Sequence, residues 1–248
     1  MIDIHCHILP GLDDGARTMD DAVAMARMAG DDGISTVVAT PHHWEEMYAP
    51  TPQEIRRAVG AVQDRLADEG IALKLLPGQE VMMAADVPER LRGGDLVTLG
   101  DRGEYLLIEV PRGEIPPGTE QVILEIMSLG VRPIIAHPEK CGAIRRKPEV
   151  LRQLVQHGCL IQMDADSLGG SKLGPTARFA SGLLKDGLVH ILASDGHSPT
   201  DRPPVISPYL PRAGSIASPQ ILQDMTVGRP NLIVGAAKVT IRSGVGTA

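Results

Sequence analysis

The sequence predicts an α/β fold built on parallel strands, and three observations carry that reading. Short β-branched or aliphatic runs recur along the whole chain, amphipathic stretches with helical spacing separate them, and no long linker interrupts the alternation. The expected strands are residues 2–5, 35–40, 73–78, 105–110, 131–136, 160–163 and 189–193. The expected helices include residues 19–28, 53–67, 120–129, 149–156 and 176–184. The first follows Thr18 and carries Asp20 and Asp21 in its first turn, where acidic side chains complement the helix dipole. Pro148 stands at the start of the fourth and Gly158 closes it. Gly70, Gly130, Gly158 and Gly187 each fall between a helix and a strand, where a left-handed cap is expected. Alternation alone does not choose between an open sheet and a closed barrel.

The 248 residues suit one domain, expected over residues 1–235, with 236–248 as a loosely held C-terminal tail. An apolar fraction of 43% excludes disorder, and no apolar run approaches the roughly 18 residues of a membrane span. Stable membrane insertion is therefore not expected. Three Tyr, one Trp and one Phe are too few for a base-stacking platform. The balance of 24 basic against 31 acidic side chains, net −7, argues against nucleic acid as a partner, though it is compatible with a local basic patch. Cys6, Cys141 and Cys159 form neither a disulfide framework nor a zinc pair, and the opening Met-Ile-Asp-Ile-His lacks the features of a signal peptide. A cytoplasmic setting is expected. Two proline-rich loops, 115–118 and 202–212, are long enough to be functional.

The chemistry is announced by position. His5 and His7 close the first strand, His42 follows the second, Glu80 the third, Glu109 ends the fourth, His137 the fifth, and Asp195 and His197 follow the seventh. Six of seven strands thus deliver an imidazole or carboxylate at the same end, which in a parallel barrel is where active sites are built. Residues two apart on an extended chain share a side, so His5-x-His7 presents two rings together. Imidazole nitrogens mixed with carboxylate oxygens suit Mn²⁺, Fe²⁺ or Zn²⁺, and the number of donors suits two or three ions. His157 and His190 lie at the wrong places for this cluster, and His43 is read as exposed or as orienting His42. Asp13-Asp14-Gly15, taken alone, is a turn. Cys6 is assigned to the core, and Asp164 and Asp166 to capping or loop hydrogen bonds.

These residues resemble a known family. Ile4-His5-Cys6-His7-Ile8 with Leu12-Asp13-Asp14-Gly15 is similar to the opening of bacterial protein-tyrosine phosphatases of the CpsB/YwqE type, in the polymerase-and-histidinol-phosphatase (PHP) superfamily. Thr40-Pro41-His42, Gly78-Gln79-Glu80, Leu107-Ile108-Glu109, Ile135-Ala136-His137-Pro138-Glu139, Ala193-Ser194-Asp195-Gly196-His197 and Arg202-Pro203-Pro204 extend the match in order. The resemblance implies a distorted seven-stranded parallel β/α barrel holding three metal ions, commonly manganese. It would place the first ion on His5, His7, Glu80 and Asp195, the second on Glu80, Glu109 and His137, and the third on Asp14, His42 and His197. Arg202 would hold the phosphate. Where the family usually has a second arginine this chain has Lys140, which keeps the charge without the bidentate fork. The implied substrate is phosphotyrosine in protein, on the tail of a bacterial tyrosine kinase controlling capsule or exopolysaccharide export.

Competing readings are weaker. No Cys is followed at the required spacing by the Arg of a cysteine-phosphatase loop, and neither a P-loop nor a Gly-x-Ser-x-Gly elbow occurs. The alternatives are a small-molecule phosphatase of the same superfamily, of the histidinol-phosphate type, and a non-catalytic metal-binding scaffold.

Overall fold

The computed structural model describes residues 1–44, 47–169 and 174–235; the expected tail at 236–248 lies outside the described residues. Among the described residues there are nine strands: β1 Ile2–Cys6, β2 Thr36–Ala39, β3 His42–His43, β4 Lys74–Pro77, β5 Glu80–Met82, β6 Tyr105–Glu109, β7 Arg132–Ala136, β8 Leu160–Asp164 and β9 Ile191–Ala193. The fold is α/β, with every strand pair parallel. One sheet has the order β1-β2-β4 and the other β3-β5-β6-β7-β8-β9. All seven expected strands form. The two extra strands, β3 and β5, continue β2 and β4 beyond Pro41 and Gly78, and the donors His42 and Glu80 stand in them, opposite one another in register. No closed barrel is found among the described residues.

The connecting helices are α1 Met19–Asp31, α2 Pro52–Asp68, α3 Val87–Gly93, α4 Thr119–Ser128, α5 Gly142–Arg146, α6 Glu149–His157 and α7 Pro175–Lys185. Capping boxes at Thr18 with Asp21 and at Thr51 with Glu54 start the first two. Gly70, Gly130, Gly158 and Gly187 all have positive φ, as expected of caps. The 202–212 loop folds into short helical turns from Ser207, and further turns run to Val234.

Apolar burial divides in three. Two clusters lie between the strands and the surrounding helices. The third gathers Ile2, Ile4, Val38, Leu107, Ile134, Leu160 and Ile191 between the strands themselves, where Ile233 also packs. Donors sit at the C-terminal end of this inner plug, so the apolar core is the floor of the site.

The turn that carries Asp13 and Asp14 closes tightly on β1's exit. Ala16 N donates to His7 O at 3.0 Å, and a Cβ on Gly15 would lie 2.1 Å from that oxygen. Only glycine fits without moving backbone. Gly15→Ala is expected to cost about 2–4 kcal/mol in urea unfolding; a midpoint equal to wild type would contradict this packing.

Candidate metal centre

Two local departures from regular strand geometry aim the histidines. Ile2 and Ile4 of β1 face the inner plug, but the register slips between Asp3 and Cys6, and Cys6 packs on the outer, helix-facing side. A bulge of this kind re-aims the residues after it, so His5 and His7 join the interior. In β7, Ile134 and Ala136 face inward, and a regular strand would send His137 outward. Its φ of +28° turns it back instead, and Asp195 has φ of +51°. Non-glycine residues held there are strained, and such strain gathers at functional sites.

The donors meet closely. His5 Nε2 lies 3.1 Å from His7 Nε2, 3.2 Å from Glu80 Oε2 and 3.3 Å from Asp195 Oδ1. His7 Nε2 lies 3.3 Å and 3.4 Å from the same two oxygens. Ligands bonded to one cation at about 2.0–2.2 Å stand about 3 Å apart along the edges of its polyhedron. Glu80 also reaches a second group: its Oε1 is 2.8 Å from His137 Nε2, while Oε2 is 2.9 Å from His42 Nδ1. Glu109 lies 3.9 Å from both rings. His42 and His197 each bring Nε2 to 3.5 Å from Asp14 Oδ1, and His7 joins that group. All nine expected donors thus fall into overlapping clusters of three or four. The groupings differ in detail from the expected sets: His7 faces the Asp14 cluster too, His42 also clusters with Glu80 and Glu109, and His137 with His5 and Asp195.

The residues fit cations. Glu80 Oε2, Asp195 Oδ1 and His197 Nε2 are buried without a hydrogen bond, although nitrogen or oxygen neighbours lie within 3.5 Å. Buried polar atoms are otherwise satisfied as a rule. Three rings have Nδ1 engaged: His5 with Gln162 Oε1 at 3.0 Å, His7 with Asp13 Oδ2 at 2.6 Å, and His197 with the Asp195 carbonyl at 2.8 Å. With Nδ1 donating, each Nε2 lone pair points to the centre.

Electrostatics show how charge is balanced here. Burial pushes Glu80 and Asp195 up, but His5 above all opposes it and both carboxyls are held well below the usual range. Burial and the Glu80 charge push Glu109 up. Burial works against charge on His137, yet Asp164 and Glu80 prevail and raise it to about 10. His197 is pushed down by burial and by His7.

Some partners were not anticipated. Asp13 is more than a turn residue: it accepts from His7 and from the His42 backbone N–H at 2.9 Å. Gln162, which orients His5, is the polar residue in an otherwise apolar run at 160–163, and that was its only signal. Asp164, expected to cap a helix or to bond within a loop, makes no side-chain cap: it pairs with Lys140 and accepts from Gln162 at 2.8 Å. Lys140 also lies 3.3 Å from Asp195 Oδ2 and 3.9 Å from Asp166. Arg202 holds the same Asp195 oxygen and lines a cavity of about 360 Å³ with Asp14 and His197. His43 is buried rather than exposed; it bonds Gln79 and Arg90, away from the clusters. His157 pairs with Glu120, and His190 accepts from Ile161 N. Cys6 is core, as expected.

Comparison with known proteins agrees with the geometry. Residues 1–223 match the family described as capsular polysaccharide synthesis, CpsB/CapC. The chain is 40% identical over 198 residues to tyrosine-protein phosphatase YwqE of Bacillus subtilis, covering 80% of this chain and 78% of the relative. It is 32% identical over 203 residues to the Staphylococcus aureus protein named as a tyrosine-protein phosphatase CapC, covering 82% and 79%. A solved structure from work on YwqE of B. subtilis and CpsB of Streptococcus pneumoniae, described as unique metal-dependent tyrosine phosphatases, superposes with a TM-score of 0.89 at 35% identity. It covers 95% of this chain and 94% of that one.

Two outcomes follow. A His137 pKa raised to about 10 means that without a cation a proton sits on the ring at neutral pH, so cation binding expels protons and weakens as pH falls. Metal content by elemental analysis should drop between about pH 7.5 and about pH 5; constant content would contradict the donor set. Asp13→Asn should lower manganese affinity about 10–100-fold in a chelator competition, and an unchanged affinity would remove Asp13 from the support of His7.

Proposed function

The chain belongs to the CpsB/CapC family, and from that premise we propose a metal-dependent hydrolase that removes phosphate from phosphotyrosine in protein. The observation that carries the reading is Glu80, whose two oxygens face different groups of donors. Were cations bound, Glu80 would offer an oxygen to each of two neighbouring groups of donors. Oxygen and imidazole donors without a thiolate suit Mn²⁺, Fe²⁺ or Zn²⁺, and the family resemblance favours manganese among them. The nine residues His5, His7, Asp14, His42, Glu80, Glu109, His137, Asp195 and His197 would hold two or three such ions. We read the two sheets as one distorted seven-stranded barrel; the pairing of Cys6 with Gly196, His7 N to Gly196 O at 2.8 Å, and Asp195 N to His5 O at 2.9 Å support that joining of β1 to β9.

When bound, divalent cations supply Lewis acidity, drawing charge from phosphoryl oxygens and making an attacking water more acidic. The chain's own residues do the rest. Arg202, one-third exposed at the cavity, presents its remaining N–H donors to phosphoryl oxygens while it holds Asp195. Lys140 is engaged by Asp164 and Asp195, so it is a positioning residue that fixes the outer oxygen of Asp195 and leaves Oδ1 for the centre. A phenolate leaving group, whose conjugate acid has a pKa of about 10, needs less proton delivery than an alkoxide. No described helix is long and apolar enough to cross a membrane, and three buried free cysteines fit a reducing cytoplasm. The family's description and the relatives' names support phosphotyrosyl protein in capsule production as the substrate, and we place that phosphotyrosine on the tail of a bacterial tyrosine kinase that controls capsule or exopolysaccharide export.

The direct test compares manganese-loaded protein on a phosphotyrosine peptide and on histidinol phosphate: the peptide should be the better substrate, and preference for histidinol phosphate would overturn the assignment. Exhaustive chelation should abolish turnover and Mn²⁺ restore it, whereas activity that survives chelation contradicts the reading. Glu80→Gln should lower kcat more than about 100-fold, beyond the loss from a ligand's supporting partner, while Cys6→Ser stays near wild type; equal losses would count against Glu80 as the shared ligand.

A further inference from the structure

A basic cluster stands beside the mouth in a chain whose net charge is −7. Arg112 follows Glu109 by three residues, on the loop after β6, and its charge is felt at that carboxyl. Arg145, Arg146 and Lys147 lie on and just after α5, in the connection that leaves β7 through His137. The two loops are tied together, since Gly142 N donates to Arg112 O at 2.8 Å. A Cβ on Gly142 would meet Arg112 O and Arg146 Nη1 at 3.4 Å and Arg145 Nη2 at 3.7 Å, which places the guanidinium groups side by side.

These charges are not spent on acids. Arg145 Nη1 donates to the Glu139 carbonyl at 2.8 Å and Arg146 Nη2 to the Gly113 carbonyl at 3.2 Å, both neutral acceptors. Among the described residues none of the four cations pairs with a carboxylate, and neither Glu114 nor Glu149 on the same loops reaches them. Elsewhere arginines do pair, as Arg27 with Glu69, Arg56 with Asp101, Arg152 with Asp186 and Arg229 with Asp224. Side-by-side guanidinium groups held by backbone carbonyls and left without counter-charge favour an anionic partner.

We propose that Arg112, Arg145, Arg146 and Lys147 dock an acidic segment of the substrate protein, Asp or Glu side chains flanking the phosphotyrosine, as it passes the mouth. This rests on the phosphotyrosyl reading above. Continuity with the loops that carry Glu109 and His137 puts the cluster where chain flanking a bound phosphotyrosine must run. A lipid surface is less well matched: the exposed large apolar residues among those described are Trp44, Met47, Leu124, Ile221 and Leu232, none on these two loops. Ile144, between the cations, is buried.

The test uses the manganese-loaded full chain with two phosphotyrosine peptides that differ only in acidic or neutral flanks, and p-nitrophenyl phosphate as a reference. At low salt kcat/KM should be about tenfold higher for the acidic peptide, through KM, and the preference should shrink towards parity at about 0.5 M salt. The double substitution Arg146→Glu with Lys147→Glu should erase or invert it. Equal turnover of the peptides by wild-type protein overturns the docking surface even if the variant does not fold. So does a variant that keeps the preference, or one that loses only binding to anionic phosphatidylserine vesicles. Absence of p-nitrophenyl phosphate turnover would instead bring down the catalytic reading, and the docking with it.

Discussion

Carboxylates and imidazoles confined together in a water-poor bowl are the constraint on which the rest of the structure depends. A buried charge left alone costs several kcal/mol, and Glu80 is 1% exposed. It is tolerated because His5, His7, His42 and His137 surround it. The carboxylates in turn hold His5, His7 and His137 above the usual imidazole range, so protons on those rings supply balancing charge, and bound cations would take their place. That balance of opposite charges is what makes a buried polar centre compatible with a folded core.

Holding that arrangement demands a rigid frame. Ile4 precedes His5 and Ala136 precedes His137 in the inner plug, and Ala193 packs there two residues before Asp195, so these donors inherit positions fixed by close packing. The bulge in β1 and the positive φ of His137 and Asp195 are the places where regular pleating would have aimed residues wrongly. Their strain is offset by hydrogen bonds around them: Ser194 N and Oγ both donate to Asp3, and Gln162 serves His5 and Asp164 together. Asp195 is shared in another sense, with one oxygen to the centre and the other to Lys140 and Arg202. A single carboxylate thus ties the basic side chains Lys140 and Arg202 to the donor cluster.

Much of this was legible in the sequence. The seven apolar runs, the Thr18 cap and four glycine caps follow from local chemistry, and they form as expected. The donors were legible because they recur at one end of successive strands, which depends only on order along the chain. What escaped reading depends on contacts between distant segments. β3 and β5 are too short to leave a periodic signal, and they form because His42 and Glu80 pair in register. Asp13 reads as a turn until His7 is seen beside it, and Lys140, standing where the family usually has a second arginine, gives no sign of Asp164 until the fold brings the two together. Which donor groups with which was likewise invisible, since His7 and His42 each face two clusters and linear spacing carries no such information.

The central claim is that one carboxylate joins adjacent cations, and electron paramagnetic resonance of the manganese-loaded protein tests it most directly. Wild-type protein should show the broadened signal of exchange-coupled ions, and replacing the Glu80 carboxylate by an amide should collapse it to the hyperfine pattern of isolated ions. A wild-type spectrum of isolated ions, or coupling undiminished in the variant, would contradict the account.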